Sequence, residues 1–432
     1  MKRVLYFFNL ILGLMIPVVT FSQEANNDFS INTKVLTRGE LRYGGFKADE
    51  IDNDRYANFA LGQYQLDFGY KRSWLELKIS PKQTVIWGQA SGSLSLAEAW
   101  ALMKTESGFF AKIGRQILAY DDERILGYDD WTMTAPTHDI VKLGYEGHNH
   151  KVHLLLAYNQ NADNPDIGNT YYLNGLQPHK SMQTLWYHYD TPKKVFGASL
   201  LFMNIGMQSA MEVDTSTYYQ QLVGTHLTFN PKHWSLTGAF YYQMGKEEHG
   251  IPIQAFIAST KASYTADKFS IYAGYDYLSG DKYFNIPPHG GLGLVHHDKI
   301  RGFNPIYGSH HEFYGSMVFF YLDSYVGNFT PGLQNLYVGA SIKPIKKLNI
   351  DLAYHYFAIA TNLDYVPSKS LGHDVEFTAS YAFTDYAKLS TGYSFMYGTE
   401  TMDIIQQLDE KRRMHWAWLM LSISPKIFAT VW

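Results

Sequence analysis

From Phe109 to Tyr145 the chain runs out and back in two short segments of alternating character, joined by a charged excursion carrying Gly127 and Trp131. Phe109, Ala111 and Ile113 share one parity, and Phe110, Lys112 and Gly114 the other. On the return, Val141, Leu143 and Tyr145 alternate with Ile140, Lys142 and Gly144. A period of two puts successive side chains on opposite faces of a strand. One face is apolar and the other carries Lys, Gly and small residues, which fits a wall with hydrocarbon on one side and water on the other.

The rest of the chain repeats this unit. Phe29 to Tyr43 places Phe29, Ile31, Val35, Leu41 and Tyr43 on one face, with Lys34, Arg38, Glu40 and Arg42 on the other. Tyr56–Tyr70 and Trp74–Gln89 follow, with Pro81 marking a bulge or bend. Further runs begin near Ser95, Gly108, His138, Lys151, Met182, Lys194, Thr217, Trp234, Ile253 and Phe269. The last five start near Leu336, Leu348, Val375, Ala387 and Arg413. Short connections such as Lys71–Ser73, Gly147–Asn149 and Thr384–Tyr386 alternate with longer ones such as Leu118–Thr137, Gln160–Lys180 and Gly398–Arg412. The turn at Pro344–Lys347 belongs to the short series. Residues 279–334 therefore form one large excursion, although His311–Tyr321 looks strand-like.

Counting in this way gives about 18 strands, an even number as closure requires. The expected fold is all-β: a transmembrane antiparallel β-barrel with short periplasmic turns and long extracellular loops. Closure pairs every backbone group in lipid and leaves no edge. It also accounts for strands that are apolar on one face rather than both. Tyr and Trp near strand ends (Tyr43, Trp74, Trp100, Tyr158, Trp186, Tyr189, Trp234) are expected in the interfacial girdles. A soluble propeller would need blade repeats, and none is visible.

Composition sharpens this picture. Aromatic residues make up 16% of the 432 positions, with 34 Tyr. Only the N-terminus approaches the roughly 20 unbroken apolar residues of a membrane helix. There Lys2 and Arg3 precede an apolar core at residues 4–19 and the small-x-small site Thr20-Phe21-Ser22. Residues 1–22 read as a signal peptide and 23–432 as the barrel, in the outer membrane of a Gram-negative bacterium. With no cysteine there is neither a lipid-anchored cysteine nor a disulfide. The net charge of −4, more acidic once Lys2 and Arg3 are removed, excludes a strongly basic nucleic-acid binder.

Two blocks of residues carry a family resemblance. One is Gly114-Arg115-Gln116, then Asp121-Asp122-Glu123-Arg124-Ile125-Leu126-Gly127, Trp131 and His138-Asp139. The other is Phe303-Asn304-Pro305-Ile306-Tyr307-Gly308-Ser309-His310, Phe313-Tyr314-Gly315 and Met317, followed by Gly332-Leu333-Gln334-Asn335 and Tyr354-His355-Tyr356-Phe357. In order and spacing these resemble the alginate export family of outer-membrane proteins, although Val318 stands where the family tends to have Asp. The resemblance implies an 18-stranded barrel through which an exopolysaccharide leaves the cell, without naming the polymer.

A passage for a polyanion calls for cations along its wall. Strand parity turns Lys34, Arg38, Arg42, Lys78, Lys112, Lys142, Lys261 and Lys388 inward, against Glu40, Glu76, Asp276, Asp351 and Glu376. Arg115 falls on the apolar side, and a bulge at Gly114 is expected to turn it inward. Asp121, Asp122, Glu123, Asp129 and Asp130 crowd one loop. Pairing with Arg124 and Arg115, or solvation, fits them better than a Ca²⁺ site, since no EF-hand spacing is present. The pairs His296-His297 and His310-His311 point to opposite sides in extended chain, so no shared metal ligation is implied. Asp139, His310 and His355 enter as candidates only through the family blocks.

No G-x-S-x-G, H-E-x-x-H or phosphate-cradling loop is present, and no cofactor or enzymatic activity is expected. The expected function is a monomeric conduit for an anionic exopolysaccharide, in contact with outer-membrane lipid and served by periplasmic export machinery. The alternative is a diffusion porin for small solutes, with residues 279–334 as its constriction. A barrel enzyme or adhesin acting through its loops is a third class.

Overall fold

A computed structural model describes residues 27–43, 56–89, 92–128, 131, 133, 136–159, 179–209, 216–282, 299–317, 320, 331–406 and 413–432. The residues expected to form the signal peptide, as well as Asp129, Asp130, His296, His297 and Val318, lie outside this set.

The strands are β1 (Asp28–Tyr43), β2 (Ala57–Arg72), β3 (Leu75–Ile86), β4 (Ser93–Lys104), β5 (Phe109–Gln116) and β6 (His138–Glu146). Next come β7 (His150–Tyr158), β8 (Ser181–Asp190), β9 (Phe196–Gln208), β10 (Thr217–Phe229), β11 (Trp234–Lys246) and β12 (Pro252–Thr265). The remainder are β13 (Phe269–Leu278), β14 (Leu333–Ile345), β15 (Leu348–Ile359), β16 (Ser370–Thr384), β17 (Ala387–Gly398) and β18 (Arg413–Ile423, continued by Lys426–Val431). Each pairs antiparallel with its chain neighbours, and β1 closes the ring on both parts of β18. The result is the expected closed 18-stranded barrel. β18 breaks at Pro425, which has no N–H to give the ladder, while its carbonyl accepts from Thr33 N at 3.1 Å. Pro81 likewise sits at a register shift between Ser80 and Pro81 in the β3–β4 pair.

Parity sorts the side chains as expected on the outside. Ile113, Leu185, Leu200, Leu336, Val338, Leu352 and Leu419 are all exposed on the outer wall, where hydrocarbon replaces water as their solvent. The inside departs from expectation. Leu155, Met182, Leu201, Met203, Leu222 and Ile257 are inward and buried. Thus β7 and β9 are apolar on both faces near the long-loop end: Leu154 and Leu156 flank Leu155, and Leu200 and Phe202 flank Leu201. Their inward residues pack with Leu118, Tyr120, Ile125, Leu126, Phe303, Ile306 and Tyr307 from two loops folded into the lumen. The wall is greasy inside wherever a loop covers it, because that surface is removed from water just as a domain core is.

Trp100 and Trp186 also depart from the girdle expectation. Both share the inward parity of Glu98 and Thr184, and both are spent on contacts inside the barrel.

Candidate functional site

The β5–β6 connection leaves the wall at Ile117 and turns tightly inside the lumen. Glu123 N donates to Tyr120 O at 2.9 Å, and Tyr120 N to Leu126 O at 3.0 Å. The turn needs left-handed backbone at Asp121 (φ 55°) and Glu123 (φ 63°), a conformation that costs non-glycine residues energy and has to be held by its surroundings. Three side chains do the holding. Asp121 accepts from Trp186 Nε1 at 3.1 Å and from Ser199 Oγ at 2.5 Å. Asp122 accepts from Arg124 Nε at 2.9 Å. Glu123 Oε2 accepts from the backbone N of Tyr128 at 2.9 Å. These three carboxylates therefore point to separate partners rather than into a common cage. His188 Nδ1 also lies 2.8 Å from Ser199 Oγ, and His188 Nε2 lies 3.1 Å from Asp190. Ser199 in this Ser–His–Asp grouping is buried while His188 and Asp190 are half-buried, and Asp121 competes with the imidazole for the serine hydroxyl.

Arg124 locks the turn to the far wall. Its Nη2 lies 2.9 Å from Asp276 Oδ1 on β13, and its guanidinium carbon sits 4.1 Å from the centre of the Phe313 ring. Burial works against the charge, but Asp276 and Asp122 outweigh it, so the guanidinium is held even more firmly protonated than usual. Asp276 is further tied to Ser259 and to Asn335 Nδ2, and Asn335 Oδ1 meets His355 Nδ1 at 2.9 Å.

The β13–β14 connection meets this turn edge to edge. Gly127 N donates to Tyr307 O at 2.8 Å, and Ser309 N to Glu123 O at 2.9 Å, around a short parallel bridge between Leu126 and Tyr307. Asn304 exchanges two hydrogen bonds with Gln243 on β11. Ser316 N donates to Glu376 on β16 at 2.5 Å, and Ser316 Oγ lies 2.7 Å from Ser394 Oγ on β17. A third anchor lies at the closure seam. Trp131 stacks on His311 at 4.5 Å, packs on Trp418 at 4.7 Å and covers Arg38 at 3.9 Å. Burial, with Arg38 nearby, pushes His311 down to about 3, so the stacked ring is neutral.

The expected inward cations divide into two groups. Arg38 and Arg42 both pair with Glu40, at 2.7 Å each, and Arg38 Nη1 also donates to Trp131 O. They are structural. Lys34, Lys78, Lys112, Lys142, Lys261 and Lys388 face the lumen from the wall. Lys78 pairs with Glu98, while Lys112 lies over Trp100 at 3.8 Å, Lys142 over Tyr120 at 5.0 Å and Lys261 over Tyr272 at 4.5 Å. Lys112 and Lys142 are direct register partners across β5 and β6. Lys82, beyond the Pro81 bulge, joins them at 4% exposure. Its shared parity with Lys78 was readable but was obscured by the irregularity at Pro81.

Arg115 requires a correction. The ladder runs in register through Gly114 on both sides, so no bulge turns the arginine inward. Gly114 adopts φ 119°, and a Cβ there would lie 2.2 Å from Ala99 O. Arg115 stays on the outer face and forms a two-pronged pair with Asp139 at 2.9 and 2.7 Å. Cross-strand neutralisation meets the cost of a charge on that face. The side chain of His310 lies outside the described set. Sequence reasoning missed Asp374, buried beneath Gly315 and beside Glu376, and Glu98, because a lone acid at inward parity carries no signal of its own.

The sequence pattern of alginate export matches residues 89–398, which include both loops and 14 of the 18 strands. The chain belongs to the alginate export family. Among solved structures, this family member superposes on OccK5 (OpdH) of Pseudomonas aeruginosa with a TM-score of 0.60 at 12% identity, covering 93% of this chain and 99% of that one. OccK2 (OpdF) of the same organism, in complex with glucuronate, gives 0.60 at 11% identity over 93% and 98%. OccAB4 of Acinetobacter baumannii gives 0.59 at 12% identity over 94% and 99%. Identities this low establish the shared barrel fold. No curated protein matches the chain significantly.

Asp121 makes loop docking depend on pH. Burial raises its carboxyl above the ordinary 3.8, against the opposing pull of Ser199, His226 and Trp186. Between 3.8 and the raised docked-state value the docked loop retains a proton that the released loop has lost, so docking is strongest below 3.8 and weakens as pH rises through the docked-state value. Conductance in planar bilayers is expected to fall as pH is lowered through that window. Asp121→Asn is expected to flatten the response, and an unchanged profile in the variant would assign the effect elsewhere.

Proposed function

We propose that this barrel is an outer-membrane conduit through which an anionic exopolysaccharide leaves the cell, acting as a monomer with periplasmic export machinery. The observation that carries the reading is the facing pair Lys112 and Lys142 in a family member of this kind. Like charges directly across a ladder destabilise a sheet. An anion passing the lumen relieves that repulsion, and the lysine ammonium groups lie over aromatic faces as cations placed along its path. Lys78 stands beside them on β3, paired with Glu98. Lys388 stands at the short-turn mouth of the same lumen.

Current through the wild-type channel is expected to be blocked by oligomers of a uronic acid and not by neutral malto-oligosaccharides. Lys112→Glu with Lys142→Glu is expected to shift selectivity from anions toward cations and to weaken the block at least about tenfold, as removal of two charge-assisted contacts implies. Equal block of both channels would remove the basis for the reading.

Uptake of a small solute is the second reading. It is favoured by the two loops docked inside the lumen and by the glucuronate complex of the similarly folded OccK2. Deletion of the gene separates the two. Periplasmic accumulation of polymer supports export, whereas loss of growth on a uronate with normal polymer secretion supports uptake.

A further inference from the structure

His138 and His179 stand together at the long-loop end of the lumen, outside the basic surface. His138 is the first residue of β6 and faces inward, 1% exposed, with no hydrogen-bond partner among the described residues for either ring nitrogen. His179 precedes β8 and is fully buried. Its Nδ1 meets the Tyr307 hydroxyl at 2.7 Å, and its Nε2 has no partner among the described residues. The two rings are nearly parallel, at 11°, with centres 6.1 Å apart. The Tyr307 ring lies edge-to-face with both, at 5.2 Å from His138 and 5.7 Å from His179.

Buried polar atoms are almost always partnered, and those that are not call for a water, an ion or a function. Here three orphan nitrogens occur on two neighbouring rings. Burial alone pushes His179 down to about 4, so its ring is neutral at physiological pH and retains a lone pair. If His179 carries its proton on Nδ1 and donates it to the Tyr307 oxygen, the lone pair lies on Nε2, the arrangement second-shell partners impose on ligating histidines. Two imidazoles sharing one ion, with metal–nitrogen bonds of about 2.0–2.1 Å, bring their ring centres to about 5–6.4 Å apart. The observed separation falls within that range.

We infer that His138 and His179 bind one divalent transition-metal ion of the zinc or copper class. Imidazole nitrogen suits these ions, and two rings leave further coordination positions for water or an incoming group. The ion would join the roots of three connections: the β5–β6 loop ending at His138, the β7–β8 loop ending at His179, and the β13–β14 loop through Tyr307. The last already hydrogen-bonds the first through Gly127.

The test uses the whole barrel in detergent micelles, stripped with a chelator and titrated with Cu²⁺ alone. One equivalent is expected to show electron-paramagnetic coupling to two imidazole nitrogens, and Zn²⁺ is expected to compete for it. His138→Gln with His179→Gln should lower the affinity by at least about tenfold. His249→Ala should leave the signal unchanged, since it disrupts only the Glu247–Glu248–His249 group on the β11–β12 loop. Absence of two-nitrogen coupling at one equivalent in the wild-type barrel would overturn the assignment, and the rings would then hold water only. Loss of the signal in the His249 variant, with retention in the double variant, would overturn it equally.

Discussion

Replacing Arg124 by alanine is expected to free both inward loops while the barrel stays closed, raising single-channel conductance severalfold. Arg124 is 3% exposed and bridges Asp122 in its own turn to Asp276 on β13, which has no exposure at all. Removing one partner of a buried pair strands the other charge, at a cost on the order of 3–5 kcal/mol. That cost falls on docking rather than on the β-ladder, because Asp276 becomes hydrated once the loop leaves. Arg124→Lys is expected to rescue little. A single ammonium cannot serve Asp122 and Asp276 at once while lying flat on Phe313. The comparison is conductance at fixed salt, with heat-modifiable mobility on gels as the check that the barrel persists. Wild-type conductance from a folded Arg124→Ala barrel would show that the loops are held elsewhere, with the Trp131 anchor the next to remove.

Glu40→Ala is expected to act on the barrel itself. Glu40 receives Arg38, Arg42 and, at 2.9 Å, the indole N–H of Trp416 from the last strand. Its side chain is wholly buried, and Arg38 beside it is 3% exposed. Alanine removes the carboxylate that two inward arginines share at the seam where β1 meets β18, a loss of about 3–5 kcal/mol for breaking a buried charge pair. The denaturant midpoint for unfolding from detergent should fall, and the mobility shift on heating should occur at a lower temperature. Glu40→Gln keeps an acceptor for Trp416 but loses both charge pairs, so it should lie between the two. A midpoint equal to wild type would mean that backbone pairing alone closes the barrel.

These two sites differ in how far the chain announced them. Glu40 and Arg38 were legible as inward residues because parity in a strand is a local property, decided by the geometry of successive peptides. That Glu40 neutralises two arginines and caps a tryptophan nearly the whole chain away was not legible, because closure of the ring brings β18 beside β1. Arg124 was conspicuous for its acidic neighbours, and its pairing with Asp122 follows from adjacency. Its partner Asp276 lies on another strand and looked like one more inward acid. Arg115 shows the opposite error. A charge at outward parity looked too costly to leave in place, yet Asp139 on the neighbouring strand neutralises it without any change of register.

The double apolar faces of β7 and β9 teach the same lesson. Leu154, Leu155 and Leu156 run together in the sequence, and parity sends the middle one inward. Taken alone, an inward leucine contradicts a water-filled lumen. It is reconciled by two loops folded into the barrel, one bringing Leu118, Tyr120, Ile125 and Leu126 and the other, more than 100 residues away, bringing Phe303, Ile306 and Tyr307.

The alternation of side chains, the rhythm of short and long connections and the even strand count were settled by the sequence alone, because each depends on interactions between residues close along the chain. The tertiary structure alone decided which lysines stay available to a passing anion, which arginines are tied down, and where the interior is dry. Those outcomes depend on loops returning into a closed ring, and burial and charge pairing there are set by neighbours that no local pattern records.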